Sequence, residues 1–170
     1  MSPVPLLLED DMARLDTSLE AEGAEYLVLG RLLLEGIQSF KAQTNFPGYD
    51  LIATNPERNK SCRIQVKSRW ATDYDGGFLM RQFDCDFVVL AVLNRGYRYR
   101  KKATETDSGV RPPEFYVFPV DVVKSARYAK STWGKVFLRS MDDPAQYLDN
   151  WKAIKNFLQF VDSTQHDPSG

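Results

Sequence analysis

Cys62-Arg63-Ile64-Gln65-Val66-Lys67-Ser68-Arg69 is the stretch on which the fold turns. Side chains alternate across a strand with a period of two. Cys62, Ile64, Val66 and Ser68 therefore share one face, and Arg63, Gln65, Lys67 and Arg69 share the other. One face belongs to a core. The other is polar throughout, with three cations among its four members, and reads as solvated or functional.

Working toward the N-terminus, Tyr49-Asp50-Leu51-Ile52-Ala53 reads as a shorter strand led in by the turn signal Pro47-Gly48. Residues 54–60, with Asn55-Pro56 inside, supply a hairpin connection. Further back, Thr17 and Glu20 have the spacing of a capping box. The spacing predicts a helix from there to about Glu35, closed by Gly36. Leu27, Val28, Leu29, Leu32, Leu33 and Leu34 make it apolar on most sides, so burial is expected. Glu25 interrupts the stripe formed with Leu29, Leu32 and Leu33.

Toward the C-terminus, Phe87 to Leu93 is a continuous apolar run, the pattern of a strand buried on both faces. A further strand is expected over Phe115 to Val120. Asp143-Pro144 gives an N-cap and a proline at the first helical position. Tyr147, Leu148, Trp151, Ile154, Leu158 and Val161 then form a helical stripe. Trp70, Trp133 and Trp151 read as core or rim residues. Residues 1–16 are expected to be a mobile acidic lead-in, residues 17–162 a single α/β domain with a mixed sheet, and residues 163–170 a disordered tail. There are no internal repeats.

Composition excludes several classes. The chain has 170 residues, 43% hydrophobic and 26% charged, which is an ordinary globule rather than a disordered chain. Cys62 and Cys85 build no disulfide framework, Cys62 on the core face reads as inert, and His166 in a polar tail rules out a histidine-rich zinc site. No run approaches the ~20 apolar residues of a membrane span, and the start lacks a signal-peptide pattern. A reducing, cytoplasmic location is expected.

The formal net charge of −1 argues against nucleic acid until it is divided by segment. Residues 1–57 carry three basic and ten acidic side chains, net −7. Residues 58–102 carry eleven and four, net +7, and residues 103–170 carry eight and nine, net −1. The cations gather around the alternating strand.

Glu25, Asp50, Gln65 and Lys67 belong together. Adjacent strands lie about 4.8 Å apart, so Asp50 can meet Gln65 across the hairpin, with Lys67 about 6.6 Å further along the same face. If the first helix packs beside these strands, Glu25 joins them. A carboxylate, an amide oxygen and an ammonium around one volume suit a hard divalent cation, which takes oxygen ligands and keeps several waters. Taken singly, each residue reads as a turn, a solvated strand face or a partly exposed helix acid.

Gly23-x-Glu25, Gly48-Tyr49-Asp50-Leu51-Ile52 and Ile64-Gln65-Val66-Lys67-Ser68 together resemble the PD-(D/E)XK nuclease superfamily. The stretch is most similar to the branches related to archaeal Holliday-junction resolvases and methylation-directed restriction endonucleases. The resemblance covers residues 20–93 and extends loosely beyond them. It implies a restriction-endonuclease-like core, a central mixed β-sheet flanked by helices, built as helix, three-strand meander, helix and further strand. It implies hydrolysis of DNA phosphodiesters with Mg2+ (or Mn2+), held by Asp50, Gln65, Glu25 and the Val66 backbone carbonyl, with Lys67 beside the attacking water. Two positions depart from the pattern. Tyr49 stands where proline is usual, and Gln65 replaces an acid, which removes one negative charge from the metal site. Resolvase-like members act as symmetric dimers, so a homodimer is implied as well.

Arg63, Ser68 and Arg69, with Arg95, Arg98, Arg100, Lys101 and Lys102 further on, are the candidate DNA contacts. Cations bind phosphates, and Tyr97 and Tyr99, interleaved among them, are placed to stack on unpaired bases or to pack beneath the arginine stems. The competing readings are a catalytically weak or inactive member of the same fold that binds nucleic acid or protein, and an unrelated α/β interaction domain in which Glu25 lies far from Asp50.

Overall fold

The computed structural model describes residues 16–43, 48–73, 77–98, 103–127 and 134–161. The chain opens with helix α1 (Thr17–Leu34), then β1 (Gln38–Lys41), β2 (Leu51–Asn55), a 3-10 turn (Pro56–Arg58) and β3 (Lys60–Arg69). The short β4 (Phe78–Leu79), β5 (Phe87–Val92), β6 (Glu114–Pro119), α2 (Val120–Ala126), β7 (Lys135–Val136) and α3 (Trp151–Phe157) follow. The main sheet has the order β1-β2-β3-β5-β6, and β4 pairs with β7 in a second, two-stranded sheet. All main-sheet pairs are antiparallel except β3–β5, so the sheet is mixed.

Every residue of β5 is buried, as its unbroken apolar run requires. One face of the sheet carries Leu51, Ile64, Val66, Val89 and Ala91 under Val28 and Leu32 of α1 and Trp151 and Ile154 of α3. The other carries Val88, Leu90, Val92 and Phe118 with Met80, Val123 and Val136. Because Gln65, Lys67 and Arg69 stand in register with Val88, Leu90 and Val92, the polar face of β3 looks onto this second core rather than into open solvent. All three are half-buried.

The end of α1 follows its sequence signal. Gly36 adopts φ +79° and donates its N–H to the Leu33 carbonyl at 3.0 Å, a left-handed termination that suits glycine. The beginning does not. The N-cap is Asp16, whose carboxylate accepts from Ser18 N–H at 2.8 Å. Thr17 is exposed, and Glu20 is turned inward at 4% exposure, where Ser68 Oγ donates to it at 2.9 Å. A half-buried hydroxyl on β3, against which α1 packs, captured the acid that the capping-box pattern assigned to the helix end.

The C-terminal helix is also shorter than its stripe predicts. Asp143 has φ +41° and makes no side-chain cap, and Pro144–Tyr147 forms a 3-10 turn. Leu148 then bridges to Tyr116 at the edge of β6, and Asp149, at φ +49°, reverses the chain before α3. Strand pairing outcompeted helix continuation there. Four elements had no sequence reading: β1, in a polar stretch, the two-residue β4 and β7, and α2, which follows β6 without a break. Among the described residues, β4 rather than a helix lies between β3 and β5, unlike the order that the resemblance implied. Trp151 is core, Trp70 packs against it, and Trp133 lies outside the described residues. Most of the lead-in and the tail lie outside them too.

Candidate active site

The β2–β3 register pairs Leu51 with Ile64, which sets Asp50 one residue before β2, opposite Gln65. Two hydrogen bonds hold it: Asp50 N–H donates to the Ile64 carbonyl at 2.9 Å, and Val66 N–H donates to Asp50 Oδ2 at 2.7 Å. The turn before it requires glycine. Gly48 has φ +97°, and a Cβ there would stand 3.0 Å from the Asp84 Cβ.

Beyond Asp50, β3 has lost its β2 neighbour. Arg63 and Arg69 turn their carbonyls to Asp86 and Leu93 on the β5 side, whereas Val66 turns its N–H to Asp50. Backbone groups of one residue share a side of the strand, so the Val66 carbonyl faces the open side. A cleft of about 310 Å³ borders this part of β3, lined by Ala21 and Ala24 of α1, Val66, Lys67 and Ser68 of β3, and Gly77, Phe78 and Leu79, with Asp50, Gln65 and Glu25 outside its lining.

Four charged groups share this end of the sheet. Burial raises the Asp50 carboxyl above its ordinary range, against the pull of Val66 N–H, Lys67 and Lys41. Burial likewise raises Glu25, with Lys41 opposing and the Asp50 charge adding to the rise. Lys67 is pushed below the usual ammonium range by burial, with Asp50 opposing. Glu25 thus lies within electrostatic reach of Asp50. Gln65 Oε1 is buried and has no hydrogen-bond partner among the described residues, an unsatisfied acceptor of the kind a ligand would complete.

Lys41 is the site residue that sequence reasoning missed. Its Nζ stands 3.0 Å from Glu25 Oε2, donates to Glu22 Oε1 and lies 4.6 Å from the centre of the Tyr26 ring. The β1–β2 register pairs Lys41 with Leu51, next to Asp50. Nothing in Gln38-Ser39-Phe40-Lys41 announces this; the signal exists only once β1 is known to pair.

The donors expected from the sequence are all oxygen: the Asp50 and Glu25 carboxylates, the Gln65 amide and the Val66 carbonyl. That chemistry fits Mg2+ or Mn2+, for which one or two carboxylates with waters and a phosphate suffice. Among the described residues no group of three His, Cys, Asp or Glu side chains is placed to hold a metal ion. The fit therefore rests on two carboxylates and neutral oxygens.

The candidate DNA contacts are spread more widely. Arg63 is paired with Asp84 and Asp86, and the Ser68 hydroxyl is engaged by Glu20. Arg69 is half-buried beside Phe78 and Leu90. Arg95 and Arg98 are exposed on an arm anchored by the Arg95–Val110 bridge and by Thr72 N–H on the Gly96 carbonyl. Tyr97 is engaged within that arm, its hydroxyl donating to Asp107 at 2.8 Å and accepting from Arg111 at 3.0 Å. Tyr99, Arg100, Lys101 and Lys102 lie outside the described residues.

This architecture is an α/β core with a mixed five-stranded sheet flanked by helices, as the sequence led one to expect. The chain is similar in structure to the bacterial homing endonuclease I-Ssp6803I, with a TM-score of 0.51 and 23% sequence identity over 85% of this chain and 94% of that one. The likeness is one of fold. No family model matches the sequence, and no curated protein matches it. Among the described residues no helix is long and apolar enough to cross a membrane.

Proposed function

We propose that this protein is a metal-dependent endonuclease acting on DNA. What supports the reading is the electrostatic influence that Asp50 exerts on both Glu25 and Lys67, with the unpartnered Gln65 Oε1 on the residue opposite Asp50, on a fold like that of an endonuclease. Asp50, Gln65, the Val66 carbonyl and Glu25 would hold Mg2+ or Mn2+. When bound, such an ion acidifies a water and stabilises charge on a phosphate. Val66 N–H fixes the Asp50 carboxylate, so its free oxygen is directed before any ligand arrives. Lys67, stiffened by burial, supplies a cation for the attacking water or for the charge that develops on phosphorus. The exposed Arg95 and Arg98 would engage the DNA backbone away from the cut. One such site cuts one strand, and a homodimer would cut both.

A specific observation also favours the second reading, a weak or inactive binding module. Gln65 is neutral and Lys41 already occupies Glu25, which leaves Asp50, among the described residues, as the one carboxylate of this group not paired to a cation within 4 Å. The test is to incubate the full chain with branched, nicked and duplex DNA in Mg2+ or Mn2+, beside Asp50→Ala and Lys67→Ala. Metal-dependent cleavage lost in both variants is the expected result. Absence of cleavage on every substrate, or cleavage indifferent to both substitutions, refutes the enzyme. Salt-sensitive binding without cleavage points to the module.

A further inference from the structure

Lys41 has no role in the reading above, yet it is the most elaborately held cation at the site. One ammonium meets Glu22 and Glu25, and the Tyr26 ring forms a side of its seat. Lys41 is 26% exposed and Glu25 20%, so the pair is shielded enough to interact more strongly than a surface ion pair. Its ammonium also acts on Asp50. Of the three carboxylates in this cation's reach, Glu25 and Asp50 are the two proposed to hold the metal.

A divalent ion entering beside Asp50 meets two obstacles. The Glu25 oxygen is already bonded to an ammonium, and that ammonium repels the arriving ion. We propose that Lys41 is an internal counter-cation that competes with the divalent ion for Glu25 and so keeps the metal affinity of the empty site low. Lys41 offsets a cluster in which Glu22 and Asp50 would otherwise repel Glu25. Both glutamates hold its charge in place. The consequence is a site that loads weakly by itself and gains its missing negative charge from the substrate phosphate. Lys41 is thus a positioning residue, acting through Glu25.

This inference rests on the metal-site reading, and binding rather than cleavage tests it. Mn2+ is titrated calorimetrically into the full chain, wild type and Lys41→Met, with Lys41→Arg and the pair Glu25→Gln and Glu25→Gln/Lys41→Met alongside. Lys41→Met is expected to bind Mn2+ about fivefold more tightly, a change of about 1 kcal/mol. Lys41→Arg keeps the charge and is expected to match wild type. In the Glu25→Gln background the gain should vanish, because the oxygen competed for is gone. A residue that merely supports the fold would leave affinity unchanged or weaken it. Unchanged or weaker binding in a Lys41→Met protein with native circular dichroism overturns the inference, as does a gain that persists without Glu25. If Lys41→Met does not fold, Lys41→Gln, which keeps a hydrogen bond to the acids, replaces it with the same expectation. Wild type that binds no Mn2+ while Lys41→Met does would sustain the competition in its extreme form. No binding by any variant defeats the metal site and this inference together.

Discussion

Asp50 is the residue whose substitution separates stability from function most clearly. Its carboxylate accepts one strong backbone hydrogen bond, from Val66 N–H at 2.7 Å, and lies near Lys67 and Lys41. Burial nevertheless outweighs all three, since the carboxyl is raised rather than lowered. The ionised form therefore costs stability at pH 7, and the attraction to Lys67 is already included in that balance. The amide of an Asp50→Asn protein keeps an oxygen for Val66 N–H and sheds the charge, so its stability should equal or exceed that of wild type. Asp50→Ala loses the acceptor as well and leaves the N–H unsatisfied, a cost of about 1–3 kcal/mol. For a domain of this size 1 kcal/mol moves Tm by about 2–4 °C, so the two variants should differ by about 5 °C.

The pH dependence follows from the same shift. The unfolded carboxyl ionises before the folded one as pH rises, so the cost is complete above the folded pKa. It disappears as pH falls through that value to the ordinary carboxylate range. Any advantage of Asp50→Asn over wild type should accordingly shrink on acidification. The assay is thermal unfolding followed by circular dichroism from pH 4 to pH 7 without divalent ions, paired with the cleavage assay, in which both variants should be inactive. Asp50→Asn as unstable as Asp50→Ala would refute the reasoning, because the charge itself would then be what stabilises.

Three other substitutions bear on separate parts of the molecule. Asn55 is 3% exposed and its Nδ2 donates to the Leu158 carbonyl at 2.9 Å, tying the β2 end to the end of α3. Asn55→Ala should cost about 1–3 kcal/mol in chemical denaturation without changing DNA binding, and a loss too small to measure would show that the tie is idle. Arg95→Ala and Arg98→Ala should each weaken DNA binding and reduce the slope of log K against log salt by about one. Fluorescence anisotropy at several salt concentrations reads this, and an unchanged slope removes the arm from the DNA surface.

The parts of the fold legible in sequence were those where one local pattern met one partner. The alternation through β3, the apolar β5 and the glycine end of α1 each state their environment within a few residues. The site was legible where it depends on the β2–β3 hairpin, because a short connection fixes which residues face each other, as Asp50 does Gln65. Glu20 and Lys41 were not. Glu20 sits at a spacing that suits a cap, and only packing of α1 against β3 gives it Ser68 instead. Lys41 belongs to an edge strand of four mostly polar residues, which carries too little periodicity to announce pairing. The stripe after Pro144 misled for a related reason, since a helical period cannot reveal that the backbone at Leu148 bonds to β6.

The change from antiparallel to parallel neighbours across β3 also sets an order of assembly. The β2–β3 hairpin closes over a short turn, and such hairpins form in about 1–10 μs. The β5 partner must arrive from farther along the chain, its register joining Ile64 to Phe87, and parallel, non-local pairing is intrinsically slower. Asp50 and Lys67 therefore meet while both are still hydrated. Their burial, and with it the displacement of their proton affinities, is acquired when β5 docks. In a refolding chain the site would acquire its shape before its electrostatics.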